Sequence, residues 1–209
     1  MAEEAEERVT RYRTITNAVF GLALLLGAFS LVDYPIHGLE DIIMALVLFA
    51  NAFLITLGIW HDVHRMLKYP FGMFFAALNY LLIFLVVIMP FTFRLIFTFG
   101  EVGEIATILY PIDVMASQIV LAAMYQSFID HNEAILPREM ILWGKESRNT
   151  VSIVAAIYAA SIYLPQEVKI LPLPPETPQF LQRAFLWWLA WPIAITYAAI
   201  YEKVHGIKF

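Results

Sequence analysis

Long apolar runs, separated by short connections that are polar or carry proline and glycine, constrain this chain more than any other feature. About twenty apolar residues in a helix cross a hydrocarbon core of roughly 30 Å. The chain has 209 residues, of which 61% are hydrophobic and 15% charged, whereas a soluble domain is about half apolar and about a quarter charged. The pattern excludes an ordinary soluble fold and predicts an all-α integral membrane protein.

The apolar runs predict six transmembrane helices. They are placed near residues 14–33, 40–62, 71–97, 105–129, 148–164 and 180–202. The fifth apolar run is the shortest, and no linker or internal repeat divides the chain. We therefore expect one membrane domain, residues 14–202, between an N-terminal cytoplasmic segment, 1–13, and a cytoplasmic tail, 203–209.

The distribution of lysine and arginine predicts the orientation in the membrane. With a cytoplasmic N-terminus and six crossings, ten of the 13 basic residues lie on the cytoplasmic side, and only Arg94, Lys169 and Arg183 lie on the other. Cytoplasmic loops carry the excess of basic residues in membrane proteins. The charge count therefore predicts that both termini are cytoplasmic.

The predicted crossings contain few groups that could do chemistry. Ionisable groups deep in a bilayer are costly and usually mark a relay or a pathway. The notable polar residues here are Asn51, Asn79 and Asp113, the last in the first turns of the fourth helix. No carboxylate or histidine is a good candidate for a coupled charge at mid-depth, which disfavours a coupled transporter. The sequence has no TVGYG-like segment, which a pore-loop potassium filter would need. It also has no set of residues typical of catalysis.

A metal site at the end of the second helix is the other chemical possibility. His61, Asp62 and His64 lie close in sequence, and His131 could approach them. Their spacing is not the i, i+4 pair of a helical zinc site, so interfacial hydrogen bonding is the preferred interpretation. We expect no metal and no cofactor, and the net charge of −5 gives no reason to expect nucleic-acid binding.

The first predicted helix has an apolar stripe. Leu22, Leu26 and Phe29 follow at i, i+4 and i+7, with Leu25 beside them, so they share one face of a helix. Such a stripe is ordinarily packing. In a symmetric assembly, however, one such helix per subunit can surround an axis, and rings of large apolar side chains gate by dewetting.

A different face of the same helix carries small residues, and its entrance is polar. Ala23 and Gly27 form a small-xxx-small pair, which lets a neighbouring helix approach closely. Thr16 and Asn17 are part of the polar entrance.

Three motifs occur in order on the first three predicted helices. They are Arg11 followed after three residues by Ile15-Thr16-Asn17, Trp60 with His64 four residues on, and Asn79 with Pro90-Phe91 eleven residues later. With these motifs the chain resembles the prokaryotic members of the transmembrane protein 175 family of potassium channels. The resemblance covers roughly residues 11–130, and the last two helices follow only by hydropathy.

The resemblance implies a six-helix subunit of a homotetrameric, potassium-permeable channel in a prokaryotic plasma membrane. It implies that the first helix of each subunit lines the pore without a pore loop. Leu22 is then expected to form the first apolar ring, Leu25 or Leu26 the middle ring, and Phe29 the outer ring.

The resemblance also implies a polar region at the cytoplasmic end of the pore. Thr16 and Asn17 would lie at the pore mouth. A supporting polar network would stand behind them, and its members are expected to be Arg11, Trp60, His64 and Asn79.

One motif departs from the family. Its members carry Phe-Ser-Asp where this chain has Ile15-Thr16-Asn17, so a carboxylate is replaced by a neutral amide. In a tetramer four negative charges are lost, which weakens cation attraction at the mouth. We expect a slower or more tightly closed pore.

Two other interpretations stay open. A non-conducting membrane scaffold would use the apolar stripe for packing alone. A small-solute or proton transporter would need a polar site for coupled uptake, which the sequence does not provide.

Overall fold

The structure is a computed structural model that describes residues 2–29, 38–96, 101–163 and 179–206. All regular secondary structure in these ranges is helical, so the predicted all-α class is confirmed. The six helices are α1 (Ala2–Phe29), α2 (Leu39–Met66), α3 (Met73–Ile96), α4 (Glu101–Asn132), α5 (Arg138–Ile162) and α6 (Gln179–His205).

Four of these helices are long and apolar enough to cross a membrane. The qualifying stretches are Val9–Phe29, Ala45–Met66, Met73–Ile96 and Ile105–Asn132. They coincide with the first four predicted crossings and indicate an integral membrane protein. The predicted end of the first crossing, residues 30–33, and Lys169 lie outside the described residues.

The fifth helix begins well before the predicted position 148. Pro137 immediately precedes its first residue, Arg138, and proline suits a helix entrance because it has no amide hydrogen to donate. The part of α5 before residue 148 includes the polar residues Lys145, Glu146 and Ser147, and Glu146 accepts hydrogen bonds from Ser147 at 3.3 Å and from Thr150 at 2.6 Å. Hydropathy misses the start of α5 because it scores such residues as polar, whatever they bond to.

The fourth helix is the centre of the bundle. It packs against α3 and α5 along its length and also touches α2 and α6. Its inward side chains include Tyr110, Met124 and Tyr125, all nearly or completely inaccessible. In the described part of the chain α1 contacts only α2 and α3, so it lies at the edge of the helix bundle.

Two aromatic contacts set the register between α4 and α5. Tyr110 meets Tyr158 with ring centroids 6.4 Å apart, and Tyr125 meets Trp143 at 5.4 Å. From the first contact to the second, the residue number rises on α4, from 110 to 125, and falls on α5, from 158 to 143. The two helices are therefore antiparallel. Between these contacts they run side by side for about 22 Å, at about 1.5 Å per residue.

The N-terminal segment continues the first helix. Since α1 begins at Ala2, residues 2–13 and the predicted membrane portion form one uninterrupted helix. The predicted tail likewise starts inside a helix, because α6 ends at His205, and residues 207–209 lie outside the described residues.

Candidate functional site

The outward face of α1 carries an exposed apolar seam. Leu22, Leu25 and Phe29 are 51%, 53% and 59% exposed, and Ile15 is 41% exposed. With the exposed Ala18, these five residues alternate at intervals of three and four. This is the heptad spacing that keeps one seam facing a partner helix. We call Ile15, Ala18, Leu22, Leu25 and Phe29 the α1 seam.

The structure distinguishes the two leucines that the family resemblance left as alternatives, and it differs from the periodicity, which placed Leu26 on the stripe and Leu25 beside it. Leu25 belongs to the seam, whereas Leu26 is half-buried and lies at its edge. The outward spacing is therefore i, i+3 and i+7 from Leu22, so the second residue is Leu25.

The opposite face of α1 packs against the subunit. Thr16, Phe20 and Ala23 are buried there. A side chain added at Gly27 would place its Cβ 3.9 Å from the ring of Phe49 on α2. Such a distance is an ordinary van der Waals contact, so the close helix approach that the small pair Ala23 and Gly27 predicts stays a prediction.

Two hydrogen bonds tie the start of the seam to the helices behind it. The Trp60 indole donates to Oδ1 of Asn17 at 2.9 Å, and the Asn79 amide donates to the Thr16 hydroxyl at 3.3 Å. Asn17 is exposed, whereas Thr16 is 1% exposed. Of the two residues predicted at a pore mouth, only Asn17 therefore faces outward, and Thr16 faces α3.

His64 extends this polar group. The rings of Trp60 and His64 lie 5.5 Å apart in a tilted arrangement, and Nδ1 of His64 is buried without a hydrogen-bond partner in the described residues. Arg11 is exposed on α1. We call Thr16, Asn17, Trp60, His64 and Asn79 the polar collar, since consecutive contacts connect them.

An aromatic contact that the sequence reasoning missed fixes α1 below the collar. The ring of Tyr12 packs edge-on against Phe71, with centroids 5.3 Å apart, and in a tilted arrangement against Tyr80, with centroids 5.5 Å apart. Tyr12 precedes the buried Thr16 by four residues, so it continues the inward face of α1. Extending the inward periodicity by one turn could have found it.

The deep asparagines identified in the sequence both have partners in the structure. Asn79 bonds to Thr16, as described, and Asn51 accepts a 2.7 Å hydrogen bond from the Tyr158 hydroxyl. Because a buried amide without partners is costly, these bonds explain how α2 and α3 tolerate asparagine.

Two ionisable residues, Asp113 and Arg183, are buried in the bundle. Asp113 lies about two turns into the apolar stretch of α4 that begins at Ile105, which agrees with its predicted position in the first turns of the fourth crossing. It accepts a 3.3 Å bond from Thr92, and Arg183 donates to Thr107 at 2.7 Å. These bonds link α4 to α3 and to α6.

The histidines considered as metal ligands do not assemble into a site. In the described residues no three side chains of histidine, cysteine, aspartate or glutamate are grouped closely enough to hold a metal. His131 instead lies beside Gly72, whose added Cβ would be 3.6 Å from its Nδ1.

No family model, curated protein or solved structure matches this chain. The likeness to transmembrane protein 175 channels therefore depends on the three motifs alone.

Proposed function

We propose that this chain is one subunit of a potassium-permeable cation channel, a homotetramer in which four copies of α1 surround the pore. The observation that carries the proposal is the α1 seam. Its large side chains point away from the subunit, and in rings around an axis they would form constrictions that close by dewetting. Leu22, Leu25 and Phe29 are the proposed ring residues.

The position of Asn17 favours an axis over lipid contact for this face. Asn17 is exposed next to the first residues of the seam, and Trp60 holds its amide in place. A fixed polar group on a lipid-facing surface would be costly. At the mouth of an aqueous pore the same group is solvated, and its orientation can matter to a passing cation.

The collar supports the pore helix from behind. Asn79 holds Thr16 on the inward face while Trp60 reaches around to Asn17. The two bonds come from different helices, α3 and α2, and both reach the same turn of α1. The proposed role of Trp60, His64 and Asn79 is therefore to position α1, without contacting ions.

The packing of α5 supports six crossings. It runs antiparallel to α4 for about 22 Å, and α4 itself qualifies as a membrane-spanning helix. Near the end of α5, Trp187 of α6 donates to Ser161 at 3.0 Å, and near the middle of α5 Asn149 donates to Tyr197 farther along α6, so α5 and α6 are antiparallel. Six alternating crossings place both termini on the basic, cytoplasmic side.

Potassium selectivity, the tetramer and the prokaryotic membrane enter the proposal through the family resemblance. The departure at Asn17 refines it. Without the family's carboxylate, the mouth attracts cations less, so we expect a smaller flux than in a relative with aspartate there.

Flux through liposomes tests the proposal. The purified protein is reconstituted, and potassium flux is measured for the wild type, Leu22→Asn and the control Leu81→Asn. Leu81 lies on α3 and is 46% exposed, close to the 51% of Leu22. We expect Leu22→Asn to raise the flux severalfold by wetting the constriction, and Leu81→Asn to leave it unchanged.

Two results would reject the channel. Equal effects of the two substitutions would mean that the α1 seam is an ordinary lipid-facing surface. Flux no greater than in empty liposomes for every variant, with an intact oligomer, would favour the non-conducting scaffold.

A further inference from the structure

A second feature lies inside the subunit, away from α1. A cavity of about 120 Å³ lies between α2, α4, α5 and α6. Its polar lining comes from Asp62, Gln118 and Thr150, and Trp191 forms part of the wall. Most of the remaining lining is aliphatic, including Ile59 and Leu121.

Two carboxyl groups lie on or behind the wall of the cavity. Asp62 lies on its wall, and Glu146 lies directly behind Thr150, which donates to it at 2.6 Å. Neither carboxylate forms an ion pair with any lysine or arginine that the structure describes. Buried or half-buried charges are usually paired, because an unpaired charge is costly to desolvate.

The nearest arginines are occupied elsewhere. The guanidinium of Arg65 lies 4.0 Å over the ring of Trp143, and one of its nitrogens contacts the sulfur of Met140 at 3.7 Å. Arg148 donates to Gln126 and Asn149. Arg65 and Arg148 therefore make other contacts, and neither forms a salt bridge to Asp62 or Glu146.

A buried amide also faces this space. Gln118 is 4% exposed and lines the cavity, yet its side chain has no hydrogen-bond partner within the described ranges. A buried amide without a partner is uncommon, since most buried polar groups in proteins are bonded. A ligand in the cavity would supply the missing partner.

We propose that this cavity binds a small organic ammonium ion, with Asp62 as counter-ion, Gln118 as a hydrogen-bond partner and the aliphatic wall around its hydrocarbon part. Trp191 provides an aromatic surface, which also attracts organic cations. The volume fits a compact ligand, because an apolar cavity of about 150 Å³ accepts benzene. No residue of α1 lines the cavity, so rejection of the proposed pore would leave this proposal unaffected.

The wall favours an organic cation over a bare metal ion. Inorganic cations such as calcium take six to eight oxygen ligands, and here only Asp62, Gln118 and Thr150 bring oxygens among the lining residues. An ammonium group needs few acceptors, and its alkyl chain replaces water along the aliphatic wall.

A matched pair of probes tests the site. Binding of n-butylammonium and of 1-butanol to the detergent-solubilised protein is measured by ligand-observed NMR at constant ionic strength. The two differ in charge but little in size. We expect the wild type to bind n-butylammonium at least tenfold more tightly, and Asp62→Asn to lose that preference.

Two further variants locate the binding. Asp130→Asn changes an exposed carboxylate on α4 and should leave the preference unchanged. Ala194→Leu enlarges a lining residue that is 8% exposed and should weaken both probes by filling the cavity. Equal binding of the two probes to the wild type, a preference that survives Asp62→Asn, or displacement of n-butylammonium by millimolar potassium would overturn the proposal.

Discussion

Helices α1 and α4 are both apolar enough to cross a membrane, yet they are used in opposite ways. In the most apolar stretch of α4, 56% of the residues are buried inside the subunit, against 17% in α1. The fourth helix therefore has its partners within one chain. The first helix has partners on one face only, and its other face is left for lipid or for another copy of the chain.

The side chains explain the difference. The inward faces of α4 carry Tyr110, Ser117 and Tyr125, polar or aromatic groups that are almost inaccessible. The outward face of α1 carries large aliphatic and aromatic groups in heptad register, beginning beside Asn17. The interior of the molecule is itself largely apolar, so an apolar side chain alone does not show whether its face of the helix points inward or outward.

The largest expected effect comes from truncating the core of α4. Met124 is completely buried, whereas Leu25 on α1 is 53% exposed. Met124→Ala should lower the free energy of unfolding by about 2–5 kcal/mol, because it leaves a cavity. Leu25→Ala should cost less than about 1 kcal/mol within the subunit.

Denaturant unfolding of the two variants in the same detergent, followed by helical circular dichroism, measures this contrast. Ile119→Ala, which changes an exposed residue of α4, serves as the control and should behave like Leu25→Ala. If Met124→Ala and Leu25→Ala were equally destabilising, the distinction between a central helix and an edge helix would be wrong.

A smaller effect is expected from the collar. Trp60→Phe removes the indole donor to Asn17 and should destabilise the protein by about 0.5–1.5 kcal/mol more than Trp188→Phe. Trp188 is a matched control because it is also half-buried, and its indole nitrogen has no hydrogen-bond partner in the described part of the chain.

The Trp60 comparison needs a flux measurement beside it. If Trp60 positions Asn17, the potassium flux should change in Trp60→Phe and stay the same in Trp188→Phe. Equal stability and equal flux in the two variants would show that the polar collar does not position Asn17.

The smallest effect concerns charge at the proposed mouth. Asn17→Asp restores the carboxylate that the family resemblance predicts there and should raise cation flux by about twofold or more at low salt. Because exposed charges are screened by salt, the increase should shrink as ionic strength rises. A flux that is unchanged at low salt would count against the electrostatic role of this residue.

Much of the fold could be predicted from the sequence, because the hydropathy and the length of each apolar run indicate where the long helices lie. The first four predicted crossings match helices that the structure shows, and the start of α5 does not. Lys145, Glu146 and Ser147 make that region look polar, although Glu146 and Ser147 are buried and Glu146 accepts hydrogen bonds from Ser147 and Thr150. A single-sequence pattern has no access to such partners.

The candidate site was only partly predictable for the same reason. The three motifs selected Asn17, Trp60 and Asn79, which prove to contact α1 or lie on it. Periodicity alone could not choose Leu25 over Leu26, because the direction of the face depends on where α2 and α3 pack. The cavity between α2, α4, α5 and α6 could not be predicted from the sequence, since its polar residues, Asp62 and Gln118 among them, come from helices far apart in the chain.

Cross-linking of single cysteines tests most directly whether α1 faces a symmetry axis. The chain has no cysteine, so Leu25→Cys, Leu26→Cys and Ile119→Cys each introduce one thiol, which a short bifunctional maleimide can join between subunits in reconstituted membranes. The account predicts cross-linked dimers for Leu25→Cys and little product for the other two. Cross-linking at Ile119→Cys without product at Leu25→Cys would contradict it.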